Sequence, residues 1–157
     1  MYEISTMTAT DMEGKGYVHW KAWQETYTGL MPQAYLDRMT LDKCVQIARK
    51  WPDGLIVAKQ DGRVIGFAGY GRYRDESLSD TGEVFALYVL KEFHGQKVGY
   101  DLMTEAMRRL EEFPQVVLWV LKGNERAIRF YQRYGFAFDG AETIGAAGTE
   151  LRMTYHR

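Results

Sequence analysis

The segment His94-Gly95-Gln96-Lys97-Val98-Gly99-Tyr100 stands between an almost unbroken apolar run, Glu83 to Leu90, and a stretch whose apolar residues recur every fourth position, Val98, Leu102, Ala106 and Leu110. The period changes across it from strand to helix. The first N–H groups of a helix have no partners and the helix dipole adds partial positive charge there, so a loop entering a helix is suited to holding an anion. Gly95 and Gly99 carry no side chain to keep a phosphate from the backbone, and Lys97 brings a full charge. The same spacing also suits glycines that end a strand and open a helix for steric reasons alone. Two other phosphate motifs are excluded: there is no Walker sequence, and the glycines of Gly66 to Gly71 fall late in a strand rather than at a strand-to-helix turn, which does not support a dinucleotide site.

The elements that must position this junction can be read in chain order. Tyr2 to Met7 alternates as a strand, and a helix with Thr10 or Asp11 at its N-cap and Gly29 near its end carries Tyr17, Trp20, Gln24 and Tyr27 at steps of three and four. Pro32 opens a second helical piece and Leu41 to Lys50 forms a third. Asp61-Gly62 between two apolar runs predicts a hairpin of Leu55 to Lys59 with Val64 to Tyr70. The apolar run from Glu83 predicts a strand covered on both faces. A helix from Val98, a buried strand at Gln115 to Val120, a helix capped by Asn124 and stopped near Gly135, and two strands around Gly145 to Gly148 complete the order. One mixed sheet flanked by helices, an α+β fold, accounts for it.

A chain of 157 residues predicts one compact domain over 1–157. Lys and Arg total 20 against 21 for Asp and Glu, a balance that gives no electrostatic reason for a nucleic-acid partner. The single cysteine, Cys44, cannot form an internal disulfide, which suits a reducing compartment. No stretch reaches the roughly 18 apolar residues of a membrane span and the N-terminus lacks a leader pattern, so the expectation is a cytoplasmic protein with no membrane partner. His19, His94 and His156 lack ligand spacing, and no metal is expected.

The strand Glu83 to Leu90, the loop His94 to Gly99, the helix Tyr100 to Glu112, the strand Val116 to Val120 and the helical Asn124 to Phe136, which reads N-x-x-A-x-x-F-Y-x-x-x-G-F, occur together in the order and spacing of the GNAT superfamily of N-acetyltransferases, which this chain resembles from Glu83 to Phe138. The resemblance implies a GNAT-like fold: a central, mostly antiparallel sheet of about seven strands with a splayed central pair, flanked by helices. It further implies acetyl-CoA as acyl donor, with pantetheine against the backbone of Leu87, Tyr88 and Val89 and against Asn124 and Tyr131. The pyrophosphate would meet the loop from His94 and Gly95 through Gln96, Lys97 and Val98 to Gly99 and Tyr100. The family's loop usually reads Q/R-x-x-G-x-G/A; here His94, still able to donate a hydrogen bond, takes the first position and Lys97 the central glycine.

Acetyl transfer to an amine needs a neutral amine, a polarised carbonyl and a proton for the departing thiolate. An alkyl amine with a pKa near 10.4 is free base only to the order of 0.1% at neutral pH, so a base is required. Glu83 is the candidate, acting directly or through water, with a solvated strand-end carboxylate as the plainer reading. Tyr131 matches the family's general acid, and a backbone N–H at Val89 or Leu90 would polarise the carbonyl. Trp20, Trp23, Glu25 and Tyr27 offer aromatic faces and a carboxylate to an ammonium, with packing of the first helix as the alternative for each; Trp23, Glu25 and Tyr27 are the substrate-binding candidates. Asp75, Glu76 and Asp80 stand in the loop before Glu83 and could draw a cation. The expected acceptor is a small-molecule amine or a peptide. A non-catalytic acyl-CoA-binding regulatory module and a protein N-terminal acetyltransferase are the other readings. A homodimer is expected from the resemblance alone.

Overall fold

The structure is a computed structural model describing residues 1–157. Strand β1 (Glu3–Thr6) is followed by a single 3-10 turn and helix α1 (Met12–Tyr27), then by α2 (Gln33–Asp37) and α3 (Leu41–Lys50). Strands β2 (Leu55–Gln60), β3 (Arg63–Arg72) and β4 (Thr81–Val89) lead to α4 (Val98–Arg109), β5 (Gln115–Leu121), α5 (Glu125–Tyr134), β6 (Ala137–Gly145) and β7 (Gly148–His156). The β2–β3 turn is Asp61-Gly62, both residues at positive φ, the combination that a two-residue hairpin needs to match strand twist. No helix is long and apolar enough to cross a membrane.

All seven strands form one sheet in the order β1-β2-β3-β4-β5-β7-β6. Every neighbouring pair is antiparallel except β4 with β5, whose parallel alignment is made possible by the crossover through α4. That pair is joined only at Thr81, Gly82 and Glu83, opposite Gln115, Val116 and Val117. Beyond it the strands part. A bulge supplies the bend: β3 pairs Gly69 with Ala86 and Tyr70 with Val84, leaving Phe85 unopposed. A Cβ at Gly69 would collide with the Phe85 ring, so the glycine makes room for the bulged side chain.

One face of the sheet packs against α4 and α5 through Ile56, Ile65, Ala68, Val84, Leu102, Met103, Leu118 and Ile128. The other packs against α1 through Val18, Ala22, Val57, Phe67 and Leu90. Two sequence expectations need correction here. The residues of α1 buried most deeply include Val18 and Ala22, and of the line Tyr17, Trp20, Gln24 and Tyr27 only Tyr27 is buried, because close approach to β3 and α3 favours small side chains. In β4 only Thr81 to Val84 is buried; Phe85 is 49% exposed and the residues to Val89 are half-buried. The apolar run reflects a cleft wall and not a strand covered on both faces.

The approach of α1 to α3 is set by Gly16, where an added Cβ would stand 2.7 Å from Cα and 2.8 Å from the backbone N of Val45. Gly16→Ala is expected to destabilise the fold by about 2 kcal/mol in urea unfolding, since forced separation of two packed helices outweighs the gain of about 1 kcal/mol in helix propensity. A more stable variant would show that the helices part freely.

Candidate active site

The parting of β4 from β5 opens a cleft of about 930 Å³. Its walls take in β4 from Val84 to Val89, β5 from Leu118 to Val120, the start of α5, and the loop between β4 and α4. Main-chain direction alternates along β4: Leu90 N–H donates to Ile65 on β3 at 3.0 Å, which turns the N–H groups of Val89 and Leu87 to the cleft side. Of the two backbone donors expected from the sequence, Leu90 is therefore engaged elsewhere and Val89 is free to act.

The loop after β4 closes one end. Lys97 sits in the left-handed region at φ 67° and ψ 7°, immediately before α4, so the position aligned with the family's central glycine keeps a glycine's backbone while carrying a side chain, at about 1 kcal/mol of strain. Gly95 has φ 82°. His94, Gly95, Lys97, Val98, Gly99 and Tyr100 line the cleft; Gln96 does not. His94 Nε2 lies 3.0 Å from the Val89 carbonyl oxygen, and because a carbonyl only accepts, the proton belongs on Nε2. That leaves Nδ1 to accept from the guanidinium of Arg126. Burial, foremost, holds His94 below its usual pKa.

Tyr131, on α5, is half-buried and lines the cleft. Burial, and secondarily the nearby Tyr88, push its phenol above the ordinary value near 10. Tyr88 shares a hydrogen bond with Tyr27, hydroxyl to hydroxyl at 3.0 Å. Asn124 lines the same wall and caps α5, its Oδ1 accepting from Ala127 N at 3.4 Å.

Glu83 is placed differently from the other candidates. It is the last β4 residue still paired with β5, is 4% exposed, and stands behind the cleft rather than in its lining. Its Oε1 has no hydrogen-bond partner, and the nearest cation is Arg74 Nε at 3.8 Å. Burial raises its pKa and Arg74 offsets part of the rise.

Among the acceptor candidates, Tyr27 and Glu25 reach the cleft and Trp23 does not; Trp23 packs edge-on against Tyr27 with ring centroids 5.3 Å apart. Glu25 Oε1 accepts the backbone N–H of Lys91 at 3.1 Å, tying α1 to the turn after β4. Several lining residues escaped the sequence reading, among them Phe85, Trp119 and Arg126. Phe85 and Trp119 lie on the strands where they part, and Arg126 lies two residues after the capping Asn124. The continuous apolar run of β5 hides Trp119, and no local signal marks a bulge at Phe85.

The sheet opens between two parallel strands beside a glycine-containing helix entrance, and residues 18–136 match the model of the Acetyltransferase (GNAT) family. The chain belongs to that family. It is 30% identical to the uncharacterized N-acetyltransferase YuaI of Bacillus subtilis across 97% of this chain and 90% of that protein. It is also 35% identical to an uncharacterized N-acetyltransferase of Archaeoglobus fulgidus across 71% and 79% of the two chains. In fold it is similar to the PaiA N-acetyltransferase of Thermoplasma acidophilum, solved in complex with coenzyme A, with a TM-score of 0.78, 21% identity and coverage of 100% and 99%. The ribosomal-protein-alanine N-acetyltransferase of Brucella melitensis gives 0.77 at 21% identity, with 99% of each chain covered.

Proposed function

We propose that the protein transfers the acetyl group of acetyl-CoA to a primary amine of a small molecule or peptide by direct attack. The observation that carries this reading is the cleft between β4 and β5, with main-chain donors on one wall, Tyr131 on the other and the Lys97–Gly99 helix entrance at its end. The residues present fit the donor. Leu87 and Val89 offer N–H groups to the amides of an extended arm, Asn124 stands opposite, and the backbone from Gly95 to Tyr100 with Lys97 offers partial and full positive charge to phosphates. A solved structure of similar fold contains coenzyme A.

Acetyl-CoA, when bound, supplies an activated acetyl group on sulfur and a thiolate leaving group. Val89 N–H polarises the carbonyl. Tyr131 returns a proton to the sulfur. Glu83, outside the cleft lining, takes a proton from the acceptor's ammonium through water and so frees the neutral amine to attack. Holding amine and carbonyl together supplies most of the acceleration.

The direct test is to incubate the protein with acetyl-CoA and a panel of small amines and peptide amino termini, reading free thiol and the mass of the acceptor. Acetylated product on one class supports the reading and selects that class. CoA binding without product on any amine would instead favour an acyl-CoA-binding regulatory module. Glu83→Gln is expected to lower kcat by about 100-fold. Because burial raises Glu83 above its usual 4.5, its basic form is lost as pH falls through that raised value, and the acid limb of the kcat/KM profile should follow. The limb should vanish in Glu83→Gln; a limb that persists unchanged would assign the base elsewhere.

A further inference from the structure

Four cations line the cleft, Lys91, Lys97, Arg126 and Arg133, and none of them takes part in the chain's seven ion pairs. Arg126 is the least expected of these. It stands in the first turn of α5, where the helix dipole disfavours a cation, and its side chain reaches across to a neutral imidazole rather than to a carboxylate. His94 in turn holds the carbonyl of Val89, the last residue of β4. The series Val89, His94, Arg126 therefore joins the two walls beyond the point where β4 and β5 have parted. Other charges near the imidazole are Glu25 and Lys91, of opposite sign.

A guanidinium donates much more strongly to an ionised oxygen than to a neutral ring nitrogen, and it matches phosphate geometry with two parallel donors. We propose that the His94–Arg126 contact is a clasp across the cofactor cleft that a phosphate group displaces: Arg126 is a phosphate ligand, and His94 is its alternative partner. The inference rests on the acetyl-CoA reading above. It also reassigns His94. Its N–H is committed to Val89, and its part in cofactor binding is to compete for Arg126 and not to donate to the ligand.

Isothermal titration of CoA onto the wild type, Arg126→Gln, His94→Ala and the double variant tests this, with circular dichroism to verify folding. Arg126→Gln should weaken CoA about tenfold through loss of a charge-assisted contact. His94→Ala should tighten it about threefold, because a partner that must be displaced is gone. In the Arg126→Gln background the same His94→Ala change should bring no tightening, since His94 acts only through Arg126. Repeating the comparison with dephospho-CoA assigns the contact. The penalty of Arg126→Gln disappears if Arg126 takes the 3′-phosphate and remains if it takes the pyrophosphate, and either result supports the clasp. Wild-type affinity in Arg126→Gln, or a weaker His94→Ala, overturns the clasp while leaving the acetyl-CoA reading in place. Failure of the wild type to bind CoA would overturn both.

Discussion

Tyr131→Phe is expected to lower kcat by two to three orders of magnitude, roughly the contribution of a positioned general acid, while leaving CoA affinity within about twofold. Tyr131 lines the cleft, and the raised pKa of its hydroxyl traces to burial and Tyr88 without any hydrogen bond from the chain. Its removal therefore breaks no bond that holds the fold together. With Tyr88 occupied by Tyr27, no neighbouring hydroxyl is poised to replace it. A phenol held above its ordinary pKa stays protonated throughout the working range, which suits a proton donor and not a base. The split between parameters is diagnostic. A fall in kcat with unchanged CoA binding assigns the hydroxyl to the departing sulfur, whereas equal losses in binding and turnover would make Tyr131 a cofactor contact only.

Gly99→Glu should weaken CoA binding by at least about 100-fold, near 2.7 kcal/mol. The attribution is clean because a side chain fits there. An added Cβ would lie 3.8 Å from the Phe130 ring and 3.9 Å from Val89, ordinary contact distances. A carboxylate in the first turn of α4 also suits the helix dipole, so the melting temperature should hold within about 2 °C. What changes is the space and charge presented to a phosphate. Gly99→Ala, which adds bulk alone, should cost no more than about threefold in affinity. Wild-type affinity in Gly99→Glu would place the phosphates away from this helix entrance.

The features legible in the sequence are those set by neighbours along the chain. Asp61-Gly62 announced its hairpin because positive φ at both positions is a local demand. The junction from Glu83 to Leu110 was visible as a change of period, and the pattern from Asn124 to Phe136 carried the family. What escaped depends on contacts between distant strands. The bulge at Phe85 follows from the register against β3, and the end of pairing at Glu83 follows from the register against β5. With neither in view, an apolar cleft wall read as a strand buried on both sides, Leu90 looked as available as Val89, and Glu83 looked as open as Tyr131. In α1 the aromatic residues drew attention by size, although helix packing there selected Val18 and Ala22.

The parting of β4 and β5 gives this sheet four borders instead of two. On the rim of a protein an unpaired strand is a template for any passing extended chain, and proteins blunt such rims to avoid association. Here two of the four face each other inside the molecule, each strand held on its far side by β3 or β7. Main-chain groups can remain unspoken for there without offering a second copy of the protein anything to grip. What such a slot selects is an occupant that is thin, extended and amide-bearing, able to stand in for a missing strand. That preference is written into the order of the strands, and substitutions of the lining side chains can tune it without having created it.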